Sequence, residues 1–404
     1  MTKIGRMGIA AGASLLLSGC GFWGSDSEGE GEGTLEPPPP PTLPAGCHVV
    51  NDQIAANTFQ AMLLPTDQGT FASWIEYPDD LQGPVPAILA VAAVDDGLAA
   101  GTATRVSIGT APVDELLQSQ LMVPVGSSLL VVAGAKSALV PLSDPTSLTP
   151  VALEPMTAAA GLALDDDRVA LLDASSGALR YRVLQTADAS ITLDVELAET
   201  TVTVDAAPAM LAFLGQALRL LTLGDGDLLA LWVGDTGSVA RAIRFRADGT
   251  VVAGPTDIAA SLPGKSIFVP DAVELASGEI AIAWTGTSGT EVRAALLSSE
   301  LEGAADAGVV VNGTTDGSQE YARVFLRDDE LRVAWNLQGG GVQQRSLDVG
   351  SGALTPTGED TDAVGGCAAD LGSDLGVASD GDPTAIWIDQ GWDGPRRILV
   401  ERVR

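Results

Sequence analysis

The stretch SGEIAIAWTGT, residues 277–287, decides the fold because it returns along the chain. Nearly the same phrase stands at 226–234 (GDLLALWVG), 329–337 (DELRVAWNL), 381–389 (GDPTAIWID) and 69–77 (GTFASWIEY). Each copy leaves a Gly- or Asp-containing turn, runs through a short apolar segment and reaches a Trp. Trp232, Trp284, Trp335 and Trp387 are spaced by 52, 51 and 52 residues, and the 158 residues from Trp74 to Trp232 make about three such periods. Two copies that have the turn and the apolar run but no Trp fill that gap: GSSLLVVAG at 126–134 and DDRVALLDA at 166–174. A fixed period of this size signals a repeat architecture. Seven units account for residues 47–404 at about 51 residues each.

Within a unit the pattern reads as four short strands. An apolar stretch such as Tyr321–Leu326 comes first, then an acidic turn and the Trp strand. A Gly-rich loop, a third strand such as Glu291–Leu297 and a Val-rich strand such as Val309–Val311 follow. Closely spaced turn signals and the lack of a long amphipathic period argue for all-β structure. Four strands in such a unit resemble a β-propeller blade, and the resemblance implies a seven-bladed β-propeller, with six or eight blades as the neighbouring counts. The register supports a closed ring. Asn51 precedes Trp74 by 23 residues, as Asn312 precedes Trp335, so the folded body begins with a fourth strand. The last unit has only Gly376–Ala378, Thr384–Ile388 and Arg396–Val403, and the N-terminal strand supplies what it lacks. No Gly-His…Trp-Asp pair, full Asp-box or Ala-Trp quinone repeat is present, so no ligand set carries over from a named propeller family.

The N-terminus has a different composition. Lys3 and Arg6 precede an apolar run of 11 residues, Met7–Leu17, too short to span a bilayer. It ends in Leu17-Ser18-Gly19-Cys20, which resembles the lipobox of bacterial lipoproteins. The resemblance implies a signal peptide over 1–19, acylation of Cys20 and, with Gly21 rather than Asp next, an outer-membrane destination. Residues 20–46, with SDSEGEGEGTLE and a run of Pro at 37–41, read as an acidic, partly stiff tether. The propeller is then 47–404.

Acidic residues number 53 against 21 basic, a net charge of −32, which excludes a phosphate backbone as partner and leaves membrane contact to the lipid anchor. The chain has one His, His48, so neither a Ser-His-Asp triad nor a His-rich metal site can be built. No nucleotide loop, EF-hand order or other cofactor motif occurs, and no cofactor is expected. Of the three Cys, Cys47 and Cys367 remain for a disulfide that would tie the start of the ring to its end. The strand reading sets Cys367 in a loop after a fourth strand, toward the other face from Cys47.

The repeated Trp is expected to pack between units. Arg241, Arg293 and Arg396 follow their Trp by nine residues, and Gln344 beside Arg345 takes that place in the Trp335 unit; these Arg are expected to pair with carboxylates. Asp67, Asp165–Asp167, Asp225, Asp227, Glu279, Asp328–Glu330, Asp380 and Asp382 suit tight turns and would line one face. Binding is expected on the opposite face, where loops vary, with Tyr77, Lys265, Phe268, Tyr321 and Trp392 as candidate contact residues. The functional expectation is a lipid-anchored envelope protein that binds a protein or glycan without catalysis. It is similar in architecture to the lipid-anchored propellers that serve outer-membrane assembly machines. The alternatives are a carboxylate-dependent glycan-active enzyme on the same fold and a cation-dependent adhesin.

Overall fold

The computed structural model describes residues 47–51, 57–66, 69–77, 84–112, 120–154, 156, 159–173, 178–199, 218–234, 239–260, 270–286, 289–302, 308–337, 341–350, 352–363, 373–377, 383–389 and 397–402. Cys20, Lys265, Phe268, Cys367 and Trp392, with the expected signal peptide and tether, lie outside them. The strands form seven four-stranded antiparallel sheets.

Strand β1 is His48–Val49. Sheet 1 holds β2 (Asn57–Thr66), β3 (Gly69–Tyr77), β4 (Pro84–Val94) and β5 (Thr104–Pro112). Sheet 2 holds β6 (Gln120–Val125), β7 (Ser128–Ala133), β8 (Lys136–Pro141) and β9 (Thr149–Pro150). Sheet 3 holds β10 (Ala159–Ala163), β11 (Arg168–Asp173), β12 (Ala178–Gln185) and β13 (Ser190–Glu199). Sheet 4 holds β14 (Leu218–Thr222), β15 (Leu228–Gly234), β16 (Val239–Phe245) and β17 (Val251–Ala260). Sheet 5 holds β18 (Asp271–Glu274), β19 (Ile280–Thr285), β20 (Val292–Leu297) and β21 (Val309–Val310). Sheet 6 holds β22 (Gln319–Arg327), β23 (Glu330–Leu337), β24 (Gly341–Gly350) and β25 (Ala353–Asp362). Sheet 7 is built from β26 (Ser373–Val377), β27 (Pro383–Asp389), β28 (Arg397–Arg402) and the N-terminal β1, in the order β1-β28-β27-β26.

All five Trp phrases are second strands, and so are the two copies without Trp. Their composition follows from their place. Consecutive sheets pack face to face, so a second strand has protein on both sides. It reads as a continuous apolar run rather than an alternation. Every residue of β19, IAIAWT, is buried. Outer strands face solvent on one side, and β25, ALTPTGEDTD, is mostly exposed. The turn between first and second strands is made tight by backbone that other residues avoid. Asp328 and Asp329 take the pair of positive φ angles, 50° and 63°, that a two-residue type I′ hairpin needs.

Each described Trp reaches back to the sheet before it. Trp232 joins Leu172 and Tyr181 of sheet 3, Trp284 joins Leu229 and Leu231 of sheet 4, and Trp335 joins Ala283 and Val292 of sheet 5. Trp74 joins Val50, just after β1. Sheets 1 and 2 share Ile75, Leu89, Met122 and Val131, and sheets 2 and 3 share Val123, Val132, Val169 and Leu171. The core is thus a series of layers between sheets.

The N-terminal strand closes sheet 7. His48 is cross-strand from Val400 and Val49 from Leu399. The Asn two residues beyond the equivalent strand of sheet 5 shows what holds such a strand. Asn312 accepts the Val292 N–H through Oδ1 at 2.7 Å, and its Nδ2 donates to Thr290 O at 2.8 Å. Asn51, the residue matched to it by spacing, is likewise buried. Among the described residues no helix is long and apolar enough to cross a membrane.

Candidate functional site

Antiparallel order sorts the connections to two ends of every sheet. The turns between strands one and two and between three and four lie at one end, called here the turn end. The loops between strands two and three and from each sheet to the next lie at the other, the loop end.

At the turn end many of the described carboxylates are already committed. Asp165 accepts from Arg168 Nε at 2.7 Å and from the Asp167 N–H at 3.2 Å. Asp225 and Asp227 both accept from Arg244, which also donates to Ser299 O of the next sheet at 2.8 Å. Glu330 pairs with Arg332 at 2.6 Å. Asp144, Asp188 and Asp248 accept backbone N–H groups two residues on, which is ordinary turn chemistry. No group of His, Cys, Asp and Glu able to hold a metal ion occurs among the described residues.

These bonds favour the charged form, and the pKa values follow. The hydrogen bond from Arg168 holds the Asp165 carboxyl down to about 2, from 3.8. Asp188 and Asp248 are lowered chiefly by bonds from Ser190 and Thr250, and Glu330 by bonds from Ser346 and then Arg332. A folded-state pKa below the unfolded one contributes stability above the unfolded value, which is lost as pH falls through the folded value. Thermal melts between about pH 5 and pH 2 should therefore show Asp165→Asn losing less stability on acidification than the parent. Parallel slopes would contradict the Arg168–Asp165 bond.

The loop end carries charge inside the protein. In sheet 1, Trp74 Nε1–H donates to Glu76 Oε1 at 2.7 Å, and Arg105 donates Nε–H to Glu76 Oε2 at 2.9 Å. Glu76 is buried between sheets, and Arg105 comes from the outer strand β5. Sheet 3 repeats the device with different residues. Asp173, only 1 % exposed, lies 3.3 Å from Arg182 Nη2, with Glu154, Asp194 and Arg180 around the pair. Glu76 is the last residue but one of its second strand and Asp173 the last of its own, where the chain turns into a loop-end connection. On the innermost strands, Asp271 accepts the Val324 N–H at 3.1 Å and faces Arg219 at 3.9 Å.

Of the contact residues proposed from sequence, only Tyr77 has a described side chain. Tyr77 is corrected: it is the last residue of β3, 2 % exposed, and packs with Val85, Leu89 and Met122. The Pro and Asp residues that follow it suggested an earlier loop start, but strand pairing extends to the Asn57–Tyr77 register. Tyr321 lies in β22 rather than in a loop, and its side chain is outside the described atoms. The expected Arg pairing holds where it is described. Arg241 and Arg293 stand cross-strand from Trp232 and Trp284, and bond Asp257 and Glu291 at 2.8 Å. Counting residues fails elsewhere. Gln343, not Gln344, faces Trp335, because that loop is one residue shorter, and Leu399 rather than Arg396 faces Trp387. Sequence reading missed Glu76, Asp173, Arg219 and Asp271. A signal existed for the last two: Arg219 and Asp271 each precede their Trp by 13 residues.

No protein-family model matches the chain, and no curated protein matches it. Solved structures do resemble it in shape. The β-propeller domain of the Trilobed protease from Pyrococcus furiosus matches at 9 % identity over 85 % of this chain and 95 % of that one, with a TM-score of 0.47. A puromycin hydrolase matches at 15 % identity and a TM-score of 0.42, and the match spans 87 % of this chain but 53 % of that one. A DUF4623 family protein from Bacteroides eggerthii matches at 14 % identity over 85 % and 87 % of the two chains, with a TM-score of 0.38.

Proposed function

We propose that the seven sheets are the blades of one closed β-propeller, carried on a lipid-anchored envelope protein, and that its loop end recognises a protein partner without catalysis. The observation that carries this reading is the state of the described carboxylates. Glu76 and Asp173, the buried pair at the loop end, are both ion-paired to Arg. The displaced carboxyl groups Asp165, Asp188, Asp248 and Glu330 are all displaced downward. A glycosidase acid needs the opposite shift. These groups hold turns and sheets in place, as suits a rigid scaffold with variable loops.

The anchor rests on the basic start, the short apolar run and the Leu-Ser-Gly-Cys box at 17–20. With several buried acyl chains, such a tail holds a chain of net charge −32 at a membrane that would otherwise repel it. We also propose that Cys47 pairs with Cys367. With Cys20 taken up by the anchor, Cys47 and Cys367 are the two cysteines that remain.

An affinity pull-down from crosslinked envelopes tests the reading, with the acylated protein and its soluble Cys20→Ala form as paired baits and mass spectrometry as readout. A stoichiometric protein common to both baits is expected, with membrane fractionation of the acylated form alone. No protein on either bait, together with polysaccharide hydrolysis that Glu76→Gln abolishes, would overturn it in favour of an enzyme.

A further inference from the structure

Charge is divided unevenly among the first strands of the sheets. In sheets 1, 2 and 3 they read NTFQAMLLPT, QLMVPV and AAGLA, with no ionisable residue. Strands β14, β18, β22 and β26 instead hold Arg219, Asp271, Arg323 and Asp374. The four share one register position, each cross-strand from the residue that precedes a Trp: Leu231, Ala283, Ala334 and Ile386. At the same position of sheet 1, opposite Ser73, stands Met62. First strands neighbour one another from sheet to sheet, β2 beside β6 and β26, β10 beside β6 and β14, and β18 beside β22. They therefore line the inside of the assembly. At the loop end of these strands, the shared register position carries residues of alternating charge in sheets 4 to 7 and an uncharged Met62 in sheet 1.

Arg219 is held less closely than most of the described arginines, and even Arg182 and Arg345 come within 3.3 and 3.5 Å of a carboxylate. Arg105, Arg241, Arg244, Arg293 and Arg332 each meet a carboxylate at 2.9 Å or closer. Arg219 Nε stops 3.9 Å from Asp271 Oδ1, beyond hydrogen-bonding reach. Asp271 is restrained from closing this gap, because its other oxygen is bonded to the Val324 N–H. Both Nε and Nη2 of Arg219 are buried and make no hydrogen bond. Leaving two donors on one guanidinium edge unsatisfied is costly, and that edge is the one a carboxylate fills with two parallel bonds. The side chain as a whole is 23 % exposed, so rotation about its stem can present the edge outward.

We propose that Arg219 anchors a carboxylate of the protein partner at the loop end. The inference rests on the proposed function for the class of partner; the anion site stands on its own geometry. Asp271 beside it disfavours a dianion, and a chain of net charge −32 disfavours a polyanionic partner. A single carboxylate next to an apolar side chain fits best, as at the C-terminus of a polypeptide. Met62 and the uncharged strands offer that side chain an adaptable apolar surface.

The test uses the full-length Cys20→Ala protein, reading the Arg219 Nε–Hε resonance by nitrogen-15 NMR during titration. The probes are N-acetyl-leucine, its neutral amide, and glucuronate. N-acetyl-leucine is expected to shift that resonance and to bind at least about tenfold more tightly than the amide, as bidentate capture requires. Arg219→Lys keeps the charge but not the planar fork, and should lose the preference while melting close to the parent. An unmoved resonance, equal binding by Arg219→Lys, or tighter binding of glucuronate would overturn the proposal. If the pull-down yields a partner while N-acetyl-leucine fails to bind, the carboxylate site falls and the scaffold reading stands.

Discussion

Trp232→Ala is expected to lower the unfolding free energy by about 3–5 kcal/mol, the usual result of emptying a fully buried aromatic site. Trp232 has no exposed surface and fills the layer between sheets 3 and 4 with Leu172, Tyr181 and Phe245. The neighbouring Tyr181 and Phe245 rings meet edge to face, with centroids 4.9 Å apart, and leave little freedom to collapse into a void. Replacement by Phe separates packing from polarity. Trp232 Nε1 donates to no acceptor, so Trp232→Phe loses volume and sheds a buried donor. Trp74 Nε1 donates to Glu76 at 2.7 Å, so Trp74→Phe also breaks a charge-assisted bond. Urea melts should therefore find Trp74→Phe more destabilising than Trp232→Phe, by about 1–2 kcal/mol. The reverse order would show that the indole bond to Glu76 adds nothing.

Breaking the closure of sheet 7 is the second large effect. Val50, 1 % exposed, is buried against Leu63, Ala72 and Trp74 of sheet 1. Val50→Asp puts an unpaired charge in that layer and should cost about 4 kcal/mol or more. It also frees the outer edge of β28, where His48 and Val49 pair, and an open edge invites association between chains. Light scattering should rise with the loss of stability. The proposed Cys47–Cys367 bridge acts at the same place. It would close a loop of about 320 residues, and its removal by Cys47→Ser should cost about 2–4 kcal/mol. Two reactive thiols in the oxidised mature protein would contradict the bridge.

What could be read from sequence, and what could not, follows from which contacts are local. The Trp phrase was legible because a second strand, its turn and its apolar run are contiguous, and because burial on both faces gives β19 an unmistakable composition. The fourth strand was legible because Asn51 and Asn312 keep a fixed distance to the next Trp. Loop-crossing distances were not. A one-residue shortening put Gln343 opposite Trp335, and the longer connection before β28 moved Leu399 opposite Trp387. Tyr77 was misplaced because strand pairing, not the nearby Pro and Asp, fixes where β3 ends. The charged interior was hidden for a different reason. Glu76 looks like a surface residue until Arg105, 29 residues away and two strands across, is brought against it. Asp173 and Arg219 are likewise defined by their neighbours in the folded sheets.

Closure by the N-terminal strand is tested most directly by amide hydrogen exchange of the soluble Cys20→Ala protein, followed by mass spectrometry on peptides spanning residues 47–51 and 397–402. Pairing of His48 and Val49 with Val400 and Leu399 predicts that both peptides are protected and lose protection together as urea is added. Rapid exchange of the 47–51 peptide in a chain whose other sheets stay protected would contradict it, and the proposed ring would give way to an open stack.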